Sequence, residues 1–168
     1  MPKPAPSAKA PVAIDINDIP GHLIRRLHQI SVGIFLAEAA ETGLTPVQFG
    51  VLQVVCNQPG IDQRTLARAI ALDASTTGGV VDRMASRGWL KRATSREDRR
   101  ARVLTLTAEG EVLLASVVPA MQKAQHQILA PLTPRQQKDF VHLLNKLVTS
   151  NNDMSRAPTG ATGSTEGL

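Results

Sequence analysis

Between Asp62 and Gly88 the chain carries two short helical stretches around a turn of three residues, and this limits its possible folds more than any other feature. Asp62 offers an N-cap carboxylate ahead of a small apolar face of Leu66, Ala67 and Ile70. Ala71 to Asp73 turn the chain, and a further helix runs from about Ala74 to Arg87, where Gly88 stops it. Two short helices joined this tightly have the sequence form of a helix-turn-helix, whose second member can enter the major groove of a duplex.

The charge distribution points the same way. Residues 83–102 (RMASRGWLKRATSREDRRAR) hold eight of the nineteen basic residues and two of the fourteen acidic ones, a local charge of +6 in a chain of +5. A concentrated positive segment on an otherwise near-neutral chain suits neutralisation of nucleic-acid phosphates with release of their counterions.

The remaining segments frame this centre. Leu23, Leu27, Ile30, Ile34 and Leu36 recur at near-helical spacing over a first helix from about Ile19 to Glu41, with Gly43 as its stop. Thr45-Pro46 caps and opens a second helix with Phe49, Leu52 and Val55 on its apolar face, ended by Gln58-Pro59-Gly60. After Gly88, Trp89 to Thr94 and Val103 to Thr107 read as strands of a hairpin with a long basic tip. Thr107 then starts a long helix with Val112, Leu113, Val117, Met121 and Ile128 inward, and Thr133-Pro134 starts a last one bearing Phe140, Leu143, Leu144 and Leu147. The expected fold is mainly α, six helices with a small β-hairpin wing.

Composition removes several classes. With three Phe, one Trp and no Tyr, a sheet that stacks RNA bases on aromatic rings is not expected. The single cysteine, Cys56, rules out an internal disulfide and a thiolate-clustered metal site, and its apolar neighbours Leu52, Val54 and Val55 suggest an inert core residue. The four histidines, His22, His28, His126 and His142, are scattered over three helices, so a zinc site would need them to converge. There is no Gly-rich phosphate loop, His-x-x-x-His pair or nucleophile elbow, so an enzyme is not expected, nor a cofactor. No apolar signal-peptide core and no run of about 18 apolar residues is present, so the protein is expected to be cytoplasmic, with no membrane partner. The Pro-rich first seventeen residues and the small, polar segment from 152 to 168 are expected as disordered tails.

Taken together, these segments resemble the MarR family of winged helix-turn-helix regulators over about Gly21 to Asn151. Carrying the resemblance are Leu44-Thr45-Pro46 with Gln48-Phe49, Leu66-Ala67, Val81-Asp82-Arg83-Met84 and Arg87-Gly88-Trp89-Leu90. Strongest is Arg96-Glu97-Asp98-Arg99-Arg100-Ala101 leading into Leu104-Thr105-Leu106-Thr107, which matches the family's wing signature almost residue for residue. The resemblance implies a homodimer intertwined through its terminal helices (18–43 and 107–151), with a DNA-binding module (44–106) reading each half of a near-palindromic operator. Two-fold symmetry would set the two recognition helices roughly 34 to 36 Å apart. It also implies a repressor released by a small aromatic carboxylate or phenol, with a faint lean toward the family's nicotinate-catabolism branch. A constitutive architectural or activating DNA-binding protein is the alternative.

For DNA, Ser75, Thr76 and Thr77 fall on the first turn of the recognition helix, where hydroxyls and free N–H groups reach base edges or phosphates. Equally, Ser75 or Asp73 could serve only as the cap. Gly78 and Gly79, costly inside a helix, imply close approach to DNA or to another helix. Arg83 and Arg87, and Arg64 and Arg68 on the preceding helix, suit phosphate positioning. In the wing, Asp98 is expected to hold the tip through Arg100, while Arg99 and Arg96 reach the minor groove. For an anionic effector, His22, Arg25, Arg26 and His28, with Gln29, are the candidates on the first helix; the competing reading makes them surface charges or dimer ion pairs.

Overall fold

The computed structural model describes residues 14–94 and 102–159. Residues 95–101 lie outside the described residues, and with them Arg96, Arg99, Arg100 and the expected Asp98–Arg100 pair; so do 1–13 and 160–168. Six helices and three strands follow in the order α1 (Pro20–Glu38), α2 (Pro46–Asn57), β1 (Ile61–Asp62), α3 (Gln63–Ala69), α4 (Ala74–Ser86), β2 (Leu90–Thr94), β3 (Arg102–Leu106), α5 (Ala108–Leu129) and α6 (Pro134–Ser150).

The helix starts are set by local chemistry. Thr45 and Thr133 each form a capping box with the glutamine three residues on, and Asp62, Asp73 and Thr107 accept from first-turn amides. α4 ends in a Schellman turn, with Gly88 at φ +76° while its amide donates to Ala85 O (3.0 Å) and that of Trp89 to Met84 O (3.0 Å). α1 stops at Glu38, three residues short of the expected Glu41. Thr42 is the reason: its hydroxyl donates to Ala39 O (2.8 Å) and accepts from the Leu44 amide (3.3 Å), closing a turn before Gly43 at φ +62°.

The sheet is antiparallel in the order β1-β3-β2, with Ile61 opposite Leu104 and Leu90 opposite Leu106. β1 was not foreseen, since two residues carry no alternating pattern. Leu44, Leu52, Leu66, Val81, Met84 and Leu104 fill the core beneath the sheet, and Phe35 of α1 meets Phe49 of α2 with ring centroids 6.0 Å apart. α5 reaches this core along Gly110, Leu114, Val117 and Ala124, a helical stripe; Val112, expected inward, is 70% exposed because it lies off that stripe. Gly110 is indispensable to the packing: a Cβ there would overlap the Trp89 carbonyl oxygen and sit 3.1 Å from its carbon.

The outer helices differ. α6 buries no residue, and Val141, Leu143, Leu144, Leu147 and Val148 are exposed on it, as are Leu23, Ile24 and Ile30 on α1. Beyond α6, where a tail was expected, Asn152 folds the chain back by accepting from the Thr159 amide (2.9 Å) and hydroxyl (2.8 Å). No described helix is long and apolar enough to cross a membrane.

Candidate nucleic-acid interface

The recognition helix α4 begins at a carboxylate. Asp73 accepts from the Thr76 amide (2.8 Å) and the Thr76 hydroxyl (2.6 Å), and the hydroxyl contact, with the amide behind it, holds its pKa below the ordinary carboxylate value. Asp62 does the same for α3. Burial opposes its ionisation, but the Thr65 hydroxyl (2.5 Å) and the amides of Thr65 and Arg64 outweigh that, and its pKa too is lowered.

This settles how the first turn is used. Asp73 is the cap, and Ser75 is left exposed. Thr76 is exposed but its hydroxyl is committed to Asp73. Thr77 was expected to reach DNA and does not: it is fully buried, with its hydroxyl donating to Asp73 O (2.9 Å). Thr77 shares the buried face of α4 with Val80, Val81 and Met84, and a residue on that face cannot meet solvent as well.

Farther along α4, Arg83 and Arg87 are both exposed, four residues apart on one face, and Arg64 and Arg68 are exposed on α3. The Arg87 guanidinium carbon lies 4.9 Å from the centre of the Trp89 ring, a cation–π contact that places its charge at the base of the wing. Arg83 folds toward the helix start, its Nη1 3.4 Å from where a Cβ on Gly79 would stand. At Gly78 the nearest group is the Gln63 side-chain nitrogen, also at 3.4 Å. Among the described residues only flexible side-chain ends approach either glycine, so no described helix packs closely there.

One basic residue of the cluster is committed differently. Arg92 on β2 forms an ion pair with Asp82 of α4 (2.7 Å) and donates to the Gln63 side-chain oxygen of α3 (3.3 Å). Gln63, Asp82 and Arg92 were not named as site residues from sequence, and only the fold could bring them together, Gln63 and Arg92 being 29 positions apart. Arg102 donates to the Thr94 hydroxyl across the strand pair (2.9 Å).

The candidate effector residues lie on the N-terminal half of α1. Arg25 donates to Gln29 (3.0 Å) and to His22 Nδ1 (3.4 Å), while Arg26 and His28 are exposed. A separate open groove of about 380 Å³ runs along α2 to the end of α3, lined by Pro46, Val47, Phe49, Gly50, Gln53, Val54, Ala69 and Ile70. None of the four α1 candidates lines it within one chain, and it holds no charged side chain. Cys56 corrects another expectation: it is exposed, near the end of α2 at the margin of the face that buries Leu52 and Val55. Among the described residues no cluster of His, Cys, Asp or Glu could hold a metal ion.

This arrangement of helices and β-hairpin is shared with known proteins. The family model described as "MarR family" matches residues 42–101. Transcriptional regulator HosA of Escherichia coli O157:H7 is 31% identical over 129 residues, 77% of this chain and 94% of that protein. The chain belongs to the MarR family. The HTH-type transcriptional repressor NicR of Pseudomonas putida is 28% identical over 152 residues, covering 90% of this chain and 95% of that one. Among solved structures, BpsR of Bordetella bronchiseptica, whose DNA binding is regulated by 6-hydroxynicotinic acid, superposes with a TM-score of 0.76 at 30% identity, covering 82% of this chain and 97% of that one. This MarR-family protein is therefore a winged-helix, DNA-binding transcriptional regulator rather than an enzyme.

Proposed function

We propose that this protein is a cytoplasmic repressor that binds a near-palindromic operator as a homodimer and is released by a small aromatic carboxylate or phenol. One observation carries the DNA reading: α4 and its C-cap leave Ser75, Arg83 and Arg87 exposed, with Arg87 set against the Trp89 ring at the base of the wing. In this reading Ser75 and the first-turn backbone face base edges. Arg64, Arg68, Arg83 and Arg87 hold phosphates, and the wing arginines Arg96, Arg99 and Arg100 serve the flanking minor groove. The exposed leucines, isoleucines and valines of α1 and α6 support a second copy, since a monomer rarely leaves so much contiguous apolar surface in water.

The effector reading draws on the groove along α2. Its volume and apolar lining suit a single ring, but an acid needs a cation that the groove lacks. His22, Arg25, Arg26 and His28 stand on the stretch of α1 whose apolar side the second copy would cover, so the cation would come from the partner's α1. BpsR, regulated by a hydroxypyridine carboxylate, supports that ligand class.

The test is a binding titration across salt concentrations on genomic duplexes recovered with the protein. Arg99→Ala should weaken binding more than tenfold and make it less steeply salt-dependent, by about 0.9 in the log–log slope per lost phosphate contact. Unchanged affinity refutes the wing assignment. Addition of 6-hydroxynicotinate or hydroxybenzoates at millimolar concentration should weaken binding and raise the melting temperature. If none does either, and protection spreads along any duplex, the constitutive architectural role stands instead.

A further inference from the structure

We infer that Arg92, though part of the basic cluster, is not a DNA contact but a positioning residue that fixes the wing against the helix-turn-helix. The inference rests on the assignment of α4 and the wing to DNA. The geometry joins three elements through one guanidinium: Arg92 of β2 reaches Asp82 in the third turn of α4 (2.7 Å) and Gln63 at the first position of α3 (3.3 Å). Arg92 is also held from behind, because it pairs with Leu104 in the sheet, and Leu104 pairs with Ile61, the residue just before the α3 cap Asp62.

Gln63 is itself seated by α4. Its side-chain nitrogen lies beside Gly78, 3.4 Å from the position a Cβ there would take, while its oxygen accepts from Arg92. Gln63, Arg92 and Asp82 thus link α3 through β2 to α4. A planar guanidinium suits this place, since its fork can address two oxygens at once, which an ammonium on a flexible stem does less well. The pairing also removes a liability. An unpaired Asp82 on the duplex-facing helix would repel phosphates, and the ion pair cancels that charge where DNA approaches.

Two roles for Arg92 give opposite results. If it contacted a phosphate, Arg92→Ala would lower the salt slope by about 0.9, and Asp82→Ala, by freeing the guanidinium, would tighten binding. As a strut, Arg92→Ala and Asp82→Ala both weaken binding to a duplex selected from a randomised pool by the wild-type dimer, by five- to fiftyfold, with the salt slope unchanged. Their double variant is no weaker than either single one, and Asp82→Arg with Arg92→Asp recovers part of the loss. Hydroxyl-radical footprints read the geometry directly: protection of the flanking minor groove fades in Arg92→Ala while the major-groove half-sites stay protected. Arg92→Lys keeps the charge yet loses most of the flanking protection.

Circular dichroism and the dimer's elution volume show that each variant folds. Additive losses, a reduced salt slope or an intact flanking footprint in Arg92→Ala overturn the strut. The control Arg83→Ala/Arg87→Ala separates this from the underlying assignment: if it too binds like wild type, the placement of α4 in the groove is what has failed.

Discussion

Replacing Gly110 by alanine tests the joint between the long helix and the wing. Gly110 is the third residue of α5, and its amide donates to the Thr107 hydroxyl (3.0 Å), which in turn donates to Gly88 O (2.5 Å). The Trp89 carbonyl it faces also accepts from the Thr107 amide (3.2 Å), so neither side of the contact can rotate away. Overpacking costs about 1–3 kcal/mol where side chains can give, and backbone against backbone places this case near ~3 kcal/mol. Alanine returns at most about 1 kcal/mol of helix propensity, leaving a net loss of about 2 kcal/mol and a melting temperature lower by about 4–8 °C for a chain of this size. Gly79→Ala is the internal control. A Cβ there meets only the end of Arg83 at 3.4 Å, so the same exchange should raise the melting temperature by about 2–4 °C. Both melts are read by circular dichroism at one protein concentration, because the stability of the proposed homodimer would depend on it. If Gly110→Ala melts at or above the parent while Gly79→Ala behaves as stated, the close approach at Trp89 is refuted.

Two further outcomes follow from the same contacts. The carboxyls of Asp62 and Asp73 titrate below their ordinary values, so their stabilisation is complete above the unfolded carboxyl pKa of about 3.9 and is lost as pH falls through the folded values; Asp62→Ala should therefore cost about 1 kcal/mol in melts at pH 7 and progressively less as the pH is lowered below about 3.9. Spin labels on Ser86 of the two copies should report a changed separation when an effector binds, whereas labels on Ser86 and Thr94 within one copy should not; a shift in the second pair contradicts a rigid module.

Helix starts were legible because capping is chemistry between residues two or three apart. Thr45-Pro46, Asp62, Asp73, Thr107 and Thr133-Pro134 each hold the amides their positions suggest. What escaped notice depends on neighbours distant in sequence. The face of α5 was read from its largest apolar residues, which admitted Val112; the buried stripe is marked as much by Gly110 and Ala124, small because another segment lies against them. Thr77 reads as a hydroxyl on a DNA-facing turn, yet the angle of α4 to the core turns it inward. Cys56 has apolar neighbours in sequence, but residues adjacent on a helix point in different directions, and Val55 takes the buried place. The commitment of Arg92 to Asp82 and Gln63 was invisible in a run of arginines that composition alone makes look equivalent.

These contacts also constrain how a ligand could release DNA. The wing is tied to α3 and α4 through Arg92, and the base of the wing is locked to α5 by the close fit of Gly110 on Trp89 and by the Thr107 hydroxyl on Gly88. Glu38 of α1 extends the connection by accepting from Lys123 (2.7 Å) and Gln127 (2.6 Å) of α5, and Phe35 against Phe49 joins α1 to α2. A packed, hydrogen-bonded unit of this kind moves as a body rather than deforming by small degrees. The softer surfaces are the apolar faces of α1 and α6, which stay exposed among the described residues of one chain. A small acid seated between the α2 groove and a second copy's α1 would therefore act on the relation between copies. Two recognition helices that must fall one DNA turn apart lose the match when that relation shifts, without either module changing shape.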